Sequence, residues 1–207
     1  NALLGADVAW RPRGTLRLAA QGYLDDFQVD RRAPGDREPP GYGVTLNASG
    51  GLRGGLIGWS LLYTRVSNLA YRTPANEEQY SFRGVGLGRN YADYDQATAR
   101  ATATAAPDLL LGAELTWLRQ GQGDLRARYP AESLYAATPT IFAGVVERAV
   151  RVAATGRWTP RSWLFVNADL GRHLVRNAGH VDGARGDRWV WRVQVAARRR
   201  IGGWLSW

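Results

Sequence analysis

Trp189-Val190-Trp191-Arg192-Val193-Gln194-Val195-Ala196-Ala197 opens a C-terminal stretch, running on to Trp207, whose reading decides the fold. With a period of two it separates into faces. Trp189, Trp191, Val193, Val195, Ala197, Arg199, Ile201, Gly203, Leu205 and Trp207 fall on one side, and Arg192, Gln194, Arg198, Arg200 and Ser206 on the other. One face is mostly apolar with aromatics at both extremities; the other is polar and cationic. An ordinary strand runs about five or six residues. Alternation over this length suits a tilted strand crossing a bilayer, which needs roughly 9–11 residues in the hydrocarbon.

The same pattern recurs through the chain. Leu4, Ala6, Val8 and Trp10 oppose Asp7 and Arg11, and the turn Pro12-Arg13-Gly14 follows. Leu16, Leu18 and Ala20 oppose Arg17, Gln21, Tyr23 and Asp25 in a strand expected over Thr15 to Phe27. Tyr42, Val44, Leu46 and Ala48 alternate with Thr45, Asn47 and Ser49, and Ile57, Trp59, Leu61 and Tyr63 with Gly58, Ser60 and Thr64. In Gln96–Ala105 every second residue is alanine. A helix is the rival there, but the interleaved threonines and strict period favour a strand that Pro107 stops. Leu109 to Gln120, Val146 to Trp158 and Leu164 to His173 continue the series, the last two joined by the turn Thr159–Ser162. Loops are expected at Gln28–Pro40, Ser67–Tyr94, Gly121–Thr140 and Arg176–Arg188.

Short turns follow the odd strands and long loops the even ones, with aromatics near both ends, as in a transmembrane β-barrel. A soluble sandwich also alternates, but its strands are shorter and its loop lengths need not alternate. The expected fold is therefore all-β: one antiparallel transmembrane barrel domain over residues 1–207, with about nine strands by the period-two test. Bacterial single-chain barrels have even strand numbers. Either a strand hides in Ser67–Tyr94 or Gly121–Thr140, or the chain is the C-terminal part of a larger even-stranded barrel, incomplete at its N-terminus. We favour the second reading.

Composition agrees. Hydrophobic residues make up 45% and mean hydropathy is -0.33, yet a barrel passes the test that excludes transmembrane helices, because half of its strand residues face a polar interior. Cysteine is absent, so disulfides and thiolate metal sites are excluded. Net charge is +9 and all 27 basic residues are arginine. They are scattered rather than blocked, and no nucleic-acid motif accompanies them, so nucleic acid is not an expected partner.

Four segments resemble the capsule assembly Wzi family of outer-membrane barrels, over most of residues 15 to 125. Ala20-Gln21-Gly22-Tyr23-Leu24-Asp25-Asp26-Phe27 is similar to that family's Gly-Gln-aliphatic-aliphatic-Asp-Glu-Phe stretch. Tyr63-Thr64-Arg65-Val66, followed by Tyr71, looks like the strand end before its long loop. Gly86-Leu87-Gly88 stands where the family has Leu-Gly-His-Pro-Leu-Gly, and Leu115 to Gly121 is similar to the next outgoing strand. Arg89 and Asn90 replace the expected His and Pro, Ala92 replaces the second Gly, and Gln96 replaces an acid. The resemblance implies a bacterial outer-membrane protein that holds capsular or other exopolysaccharide at the cell surface.

Candidate residues fall in two sets. Tyr71, Tyr80, Phe82, Arg83, Arg89, Tyr91, Tyr94, Tyr129 and Tyr135 crowd two long loops. Aromatic faces stack on sugars and arginines pair with acidic groups, so these are the glycan-binding candidates. The plainer reading is that they pack the loops together. Asp7, Arg17, Asp25, Arg100, Glu114, Glu147, Arg151, Asp169, Arg192 and Arg198 lie on the inward polar faces. There they either form ion pairs filling the interior or line an anion path, as charged rings do in pores. No enzyme activity, cofactor or metal site is expected. His173 and His180 are the only histidines, and no serine is convincingly placed beside His173 and Asp169. Expected partners are outer-membrane lipid and surface polysaccharide, with other envelope proteins as further candidates. The rival functions are an anion-preferring porin-like channel and a scaffold subunit of an envelope assembly.

Overall fold

A computed structural model describes residues 3–25, 38–73, 81–82, 85–86 and 91–198. The long strands are β1 (Leu3–Arg13), β2 (Leu16–Asp25), β3 (Gly41–Leu52), β4 (Ile57–Val66), β7 (Tyr94–Ala106), β8 (Leu109–Gln120), β9 (Glu147–Arg161), β10 (Leu164–Arg176) and β11 (Arg185–Ala197). They form one nine-stranded antiparallel sheet in that order. β1 and β11 are not paired to each other, so among the described residues the sheet is open at both edges. Among the described residues the short strands β5 (Ser81–Phe82) and β6 (Val85–Gly86) pair only with each other.

Register shows what the alternation builds. The row Trp10, Leu18, Ala48, Leu61, Ala99, Leu115, Val152 crosses β1 to β9 on one face. Large side chains on that face are exposed: Leu115 by 50%, Val152 by 55% and Trp191 by 72%. The opposite face carries the Arg100–Glu114–Arg151–Asp169 ion pairs, and Thr64, Thr98 and Ala153 are buried on it. This inverts the usual economy of a folded chain, where large contiguous apolar patches are removed from water.

Trp10, Trp59 and Trp158 lie on the apolar face near the short-turn end. They do not share a register row. The row through Trp10 meets β4 at Leu61, two residues from Trp59, and β9 at Val152, six residues from Trp158. Six residues at ~3.4 Å each, set against six strand spacings of ~4.8 Å, incline the tryptophan line to the rows by about 35°. At the loop end the boundary descends in the same direction: the row of Tyr63 and Trp117 meets β11 at Asp187, two residues beyond Trp189. Both edges of the apolar band thus shift toward the short-turn end from β1 to β11, and the strands cross it obliquely.

Several boundaries differ from expectation. The loop expected at Arg176–Arg188 is only 177–184, because left-handed backbone at Asn177 (φ 53°), His180 (φ 62°), Gly179 and Gly183 turns the chain quickly. Residues 185–188 are strand despite being polar, and Arg172 pairs with Asp187 across that hairpin. β9 runs through Thr159 and Pro160 to Arg161, with the register shifting between Leu164 and Val166 of β10. Neither Ser67–Tyr94 nor Gly121–Thr140 adds a further strand to the nine-stranded sheet among the described residues; within 121–146 only a 3-10 turn forms, at Glu132–Ala137. Of the stretch running to Trp207, residues 199–207 lie outside the described residues.

Two glycines hold aromatics against the sheet. Trp59 covers Gly50, its register partner, where a Cβ would meet the ring at 2.9 Å and the Thr15 carbonyl at 2.7 Å. Tyr23 covers Gly43 likewise, on the polar face.

Candidate functional site at the loop end

Nearly all the buried residues lie where the long loops meet the sheet. Val66, Ala70, Ala92, Tyr94 and Leu125 form the apolar cluster, with Tyr23, Tyr71 and Leu118 packed against it. Asp93 ties the loops. It is fully buried with φ 60°, and its carboxylate accepts backbone N–H bonds from Gly123 (2.9 Å), Ala143 (2.9 Å) and Phe142. Its own backbone donates to Ser67 and accepts from Gly121. A second junction forms at Asn68, whose Nδ2 donates to the Pro139 carbonyl (3.1 Å) and whose Oδ1 accepts from Arg72 Nη2 (2.8 Å). Burial pulls the Arg72 guanidinium below its ordinary pKa, opposed by Asp124, Tyr129 and Asp93.

Above these junctions opens a cleft of about 420 Å³. Tyr91, Gln120, Gln122, Asp124 and His180 supply its side chains. Tyr91 is 57% exposed and stands edge-on to the buried Tyr94, with ring centroids 6.3 Å apart. Gln122 is held from both ends: its backbone N–H donates to Ala143, and its Oε1 accepts from Val145 N. His180 Nδ1 bonds the Val145 carbonyl at 2.8 Å. A carbonyl only accepts, so Nδ1 carries the proton, and in the neutral ring Nε2 is left as an acceptor. The cleft therefore combines an exposed aromatic face, two amides, a carboxylate and an imidazole, a set that can both donate to and accept from vicinal hydroxyls.

The glycan candidates separate sharply. Tyr94 and Tyr135 are buried, Tyr71 packs on Tyr23 (5.8 Å), and Tyr129 stacks edge-on with Tyr135 (6.1 Å) and donates to Glu38. These four pack the loop end, as the plainer reading expects. Tyr91 alone among the described candidate rings is offered outward to the cleft. Tyr80, Arg83 and Arg89 lie outside the described residues, and of Phe82 only the backbone strand is described. Sequence does not single out Asp93, Asn68 or Gln122, and offers His180 only as one of two histidines, since their roles come from backbone groups far away in the chain.

The polar-face candidates form a ladder. Glu114 accepts from Arg100 Nε (2.7 Å) and Arg151 Nη1 (2.6 Å). Arg151 Nη2 reaches Asp169 at 2.6 Å, and its Nε donates to His173 Nε2 at 3.2 Å. One arginine thus links three strands. Asp7, Arg17 and Arg192 occupy the same face, with Arg192 opposite Asp169 in register. Glu147 and Asp25 sit at its loop end, Glu147 accepting from Gly179 N (2.6 Å) and Asp25 buried. Arg198 follows β11 and donates its backbone N–H to Trp163. Among the described residues no three His, Asp or Glu side chains converge on a metal-sized site. No protein-family description, curated protein or solved structure matches this chain.

Proposed function

We propose that this chain forms wall of an outer-membrane β-barrel and holds surface polysaccharide at its loop-end cleft, without chemistry on the sugar. The observation that carries the reading is the exposed apolar band, whose short-turn edge is inclined by about 35° to the register rows, since membrane barrels tilt their strands by roughly 35–45°. Water would not reward so much exposed leucine, valine and tryptophan; hydrocarbon would. Charges on the opposite face, paired as Arg100–Glu114–Arg151–Asp169, suit a hydrated interior.

The polysaccharide role rests on the Tyr91 cleft together with the likeness of segments in residues 15 to 125 to the capsule assembly Wzi family. In that reading Tyr91 stacks on a pyranose face while Gln120, Gln122 and Asp124 take its hydroxyls. Reconstitution into phosphatidylcholine vesicles tests the first half: brominated acyl chains are expected to quench the tryptophans. Binding to a panel of purified neutral and acidic polysaccharides tests the second. Tyr91→Ala with Gln122→Ala should abolish retention, and unchanged retention would refute the cleft. An anion-preferring channel is the second reading, favoured by polar-face arginines such as Arg17 and Arg192; planar-bilayer conductance separates the two.

A further inference from the structure

The apolar face is not uniform. β7 contributes only Ala97, Ala99, Ala101 and Ala103 to it, between Tyr63 and Leu61 of β4 and Trp117 and Leu115 of β8. Ala20 and Ala48 repeat the small size further along the same rows. The result is an almost wholly apolar trough of about 690 Å³ from Trp10 on β1 to Trp117 on β8. It follows the register rows, so it crosses the band on a slant, from the short-turn boundary to the loop-end boundary.

Where the trough reaches the loop end, the next register row is Arg65, Asp95, Arg119, Arg148, Arg176, Arg185. Five arginines and one acid share it. Asp95 is neutralised by Arg119, whose Nη2 and Nε reach it at 2.5 and 3.0 Å. Arg119 is also held between Trp117 and Phe142, 4.5 Å from each ring centroid. The side chain of Arg148, the exposed register partner of Arg119 on β9, makes no hydrogen bond or ion pair among the described residues. Register partners lie about 5 Å apart, within common reach of one phosphate.

We infer that this face holds a net-anionic phosphate lipid, its acyl chain lying in the alanine trough and its phosphate between Arg119 and Arg148. The inference rests on the membrane reading above. Apolar lining selects the chain, and arginine forks at the mouth select the phosphate, a pairing favoured by guanidinium geometry and by weak hydration. Asp95 and the two rings fix Arg119 beforehand, so the site needs to order only Arg148.

Native mass spectrometry of the chain, released from vesicles holding equal phosphatidylglycerol and phosphatidylcholine, tests it. Insertion is first scored by resistance to carbonate extraction. A chain that stays outside the vesicles overturns the membrane reading and this inference together. For an inserted chain the expected result is one retained lipid, with phosphatidylglycerol favoured roughly fivefold or more, the scale of one arginine near a charged headgroup. Arg148→Gln should bring that ratio to about one, and Ala99→Phe, which fills the trough, should reduce retention of both lipids. Equal retention of the two lipids by the unaltered chain, a preference that survives Arg148→Gln, or a dimer in place of a lipid adduct overturns the site while leaving the membrane reading intact.

Discussion

The loop end and the sheet wall of this molecule are stabilised in different ways. At the loop end Asp93, Asn68, Tyr94 and Leu125 are buried, and distant segments are tied by hydrogen bonds spanning up to 91 residues of chain. In the wall, backbone ladders join the strands, one face is held by the Arg151 ladder, and the other leaves Leu115, Val152 and Trp191 uncovered. A water-soluble sheet gains most of its stability from the face it hides. This wall displays its apolar face, so the missing term has to come from the surroundings.

Substitutions can pull the two regions apart. The largest effect is expected for Asp93→Ala, which strands three backbone N–H donors in a buried site and should cost the loop end about 3 kcal/mol or more. Limited proteolysis should then cut within 121–146 while circular dichroism still reports the sheet. Next is Leu115→Arg. Against lipid it should cost about 2–4 kcal/mol in urea unfolding from vesicles. Were the residue facing water, the change would stay within about 0.5 kcal/mol. That measurement decides which solvent the wall meets.

Arg151→Met comes third. It leaves Asp169 and His173 without their shared donor, while Glu114 keeps Arg100. A cost of about 1–3 kcal/mol is expected, between exposed and buried pairs, because the partners are partly covered. Adding Asp169→Leu should recover part of it, as a double-mutant cycle would record. The smallest effect on stability is expected from Tyr91→Ala. Glycan affinity should fall roughly tenfold, the worth of ~1.4 kcal/mol of ring contact, with unfolding unchanged.

The wall was largely legible from sequence because strand side chains alternate with a period of two, so a residue's number sets its face. Ala97 to Thr104 and Leu110 to Trp117 pair as their alternation implies, and the register shifts only beyond them, at Ala105. The 185–188 segment escaped because strand there extends past the apolar band, and Arg185, Asp187 and Arg188 carry no alternation to read. The loop end was illegible for a different reason. Tyr91 and Tyr94 are alike as sequence, three residues apart, yet one is exposed and the other buried, because Ala92 and Leu125 close over Tyr94. Asp93 owes its role to backbone amides at 123, 142 and 143, and amides have no sequence signature.

The indole of Trp59 lying on Gly50 has a consequence for how the sheet assembles. Sliding β4 along β3 by one residue would turn the ring to the charged face. Sliding by two, in either direction, would bring Ala48 or Leu52 beneath it, where the bare backbone of Gly50 now leaves room. Misaligned hairpins therefore lose the ring's seat before any later strand has added, and the pair works as a checkpoint on alignment at the β3–β4 step.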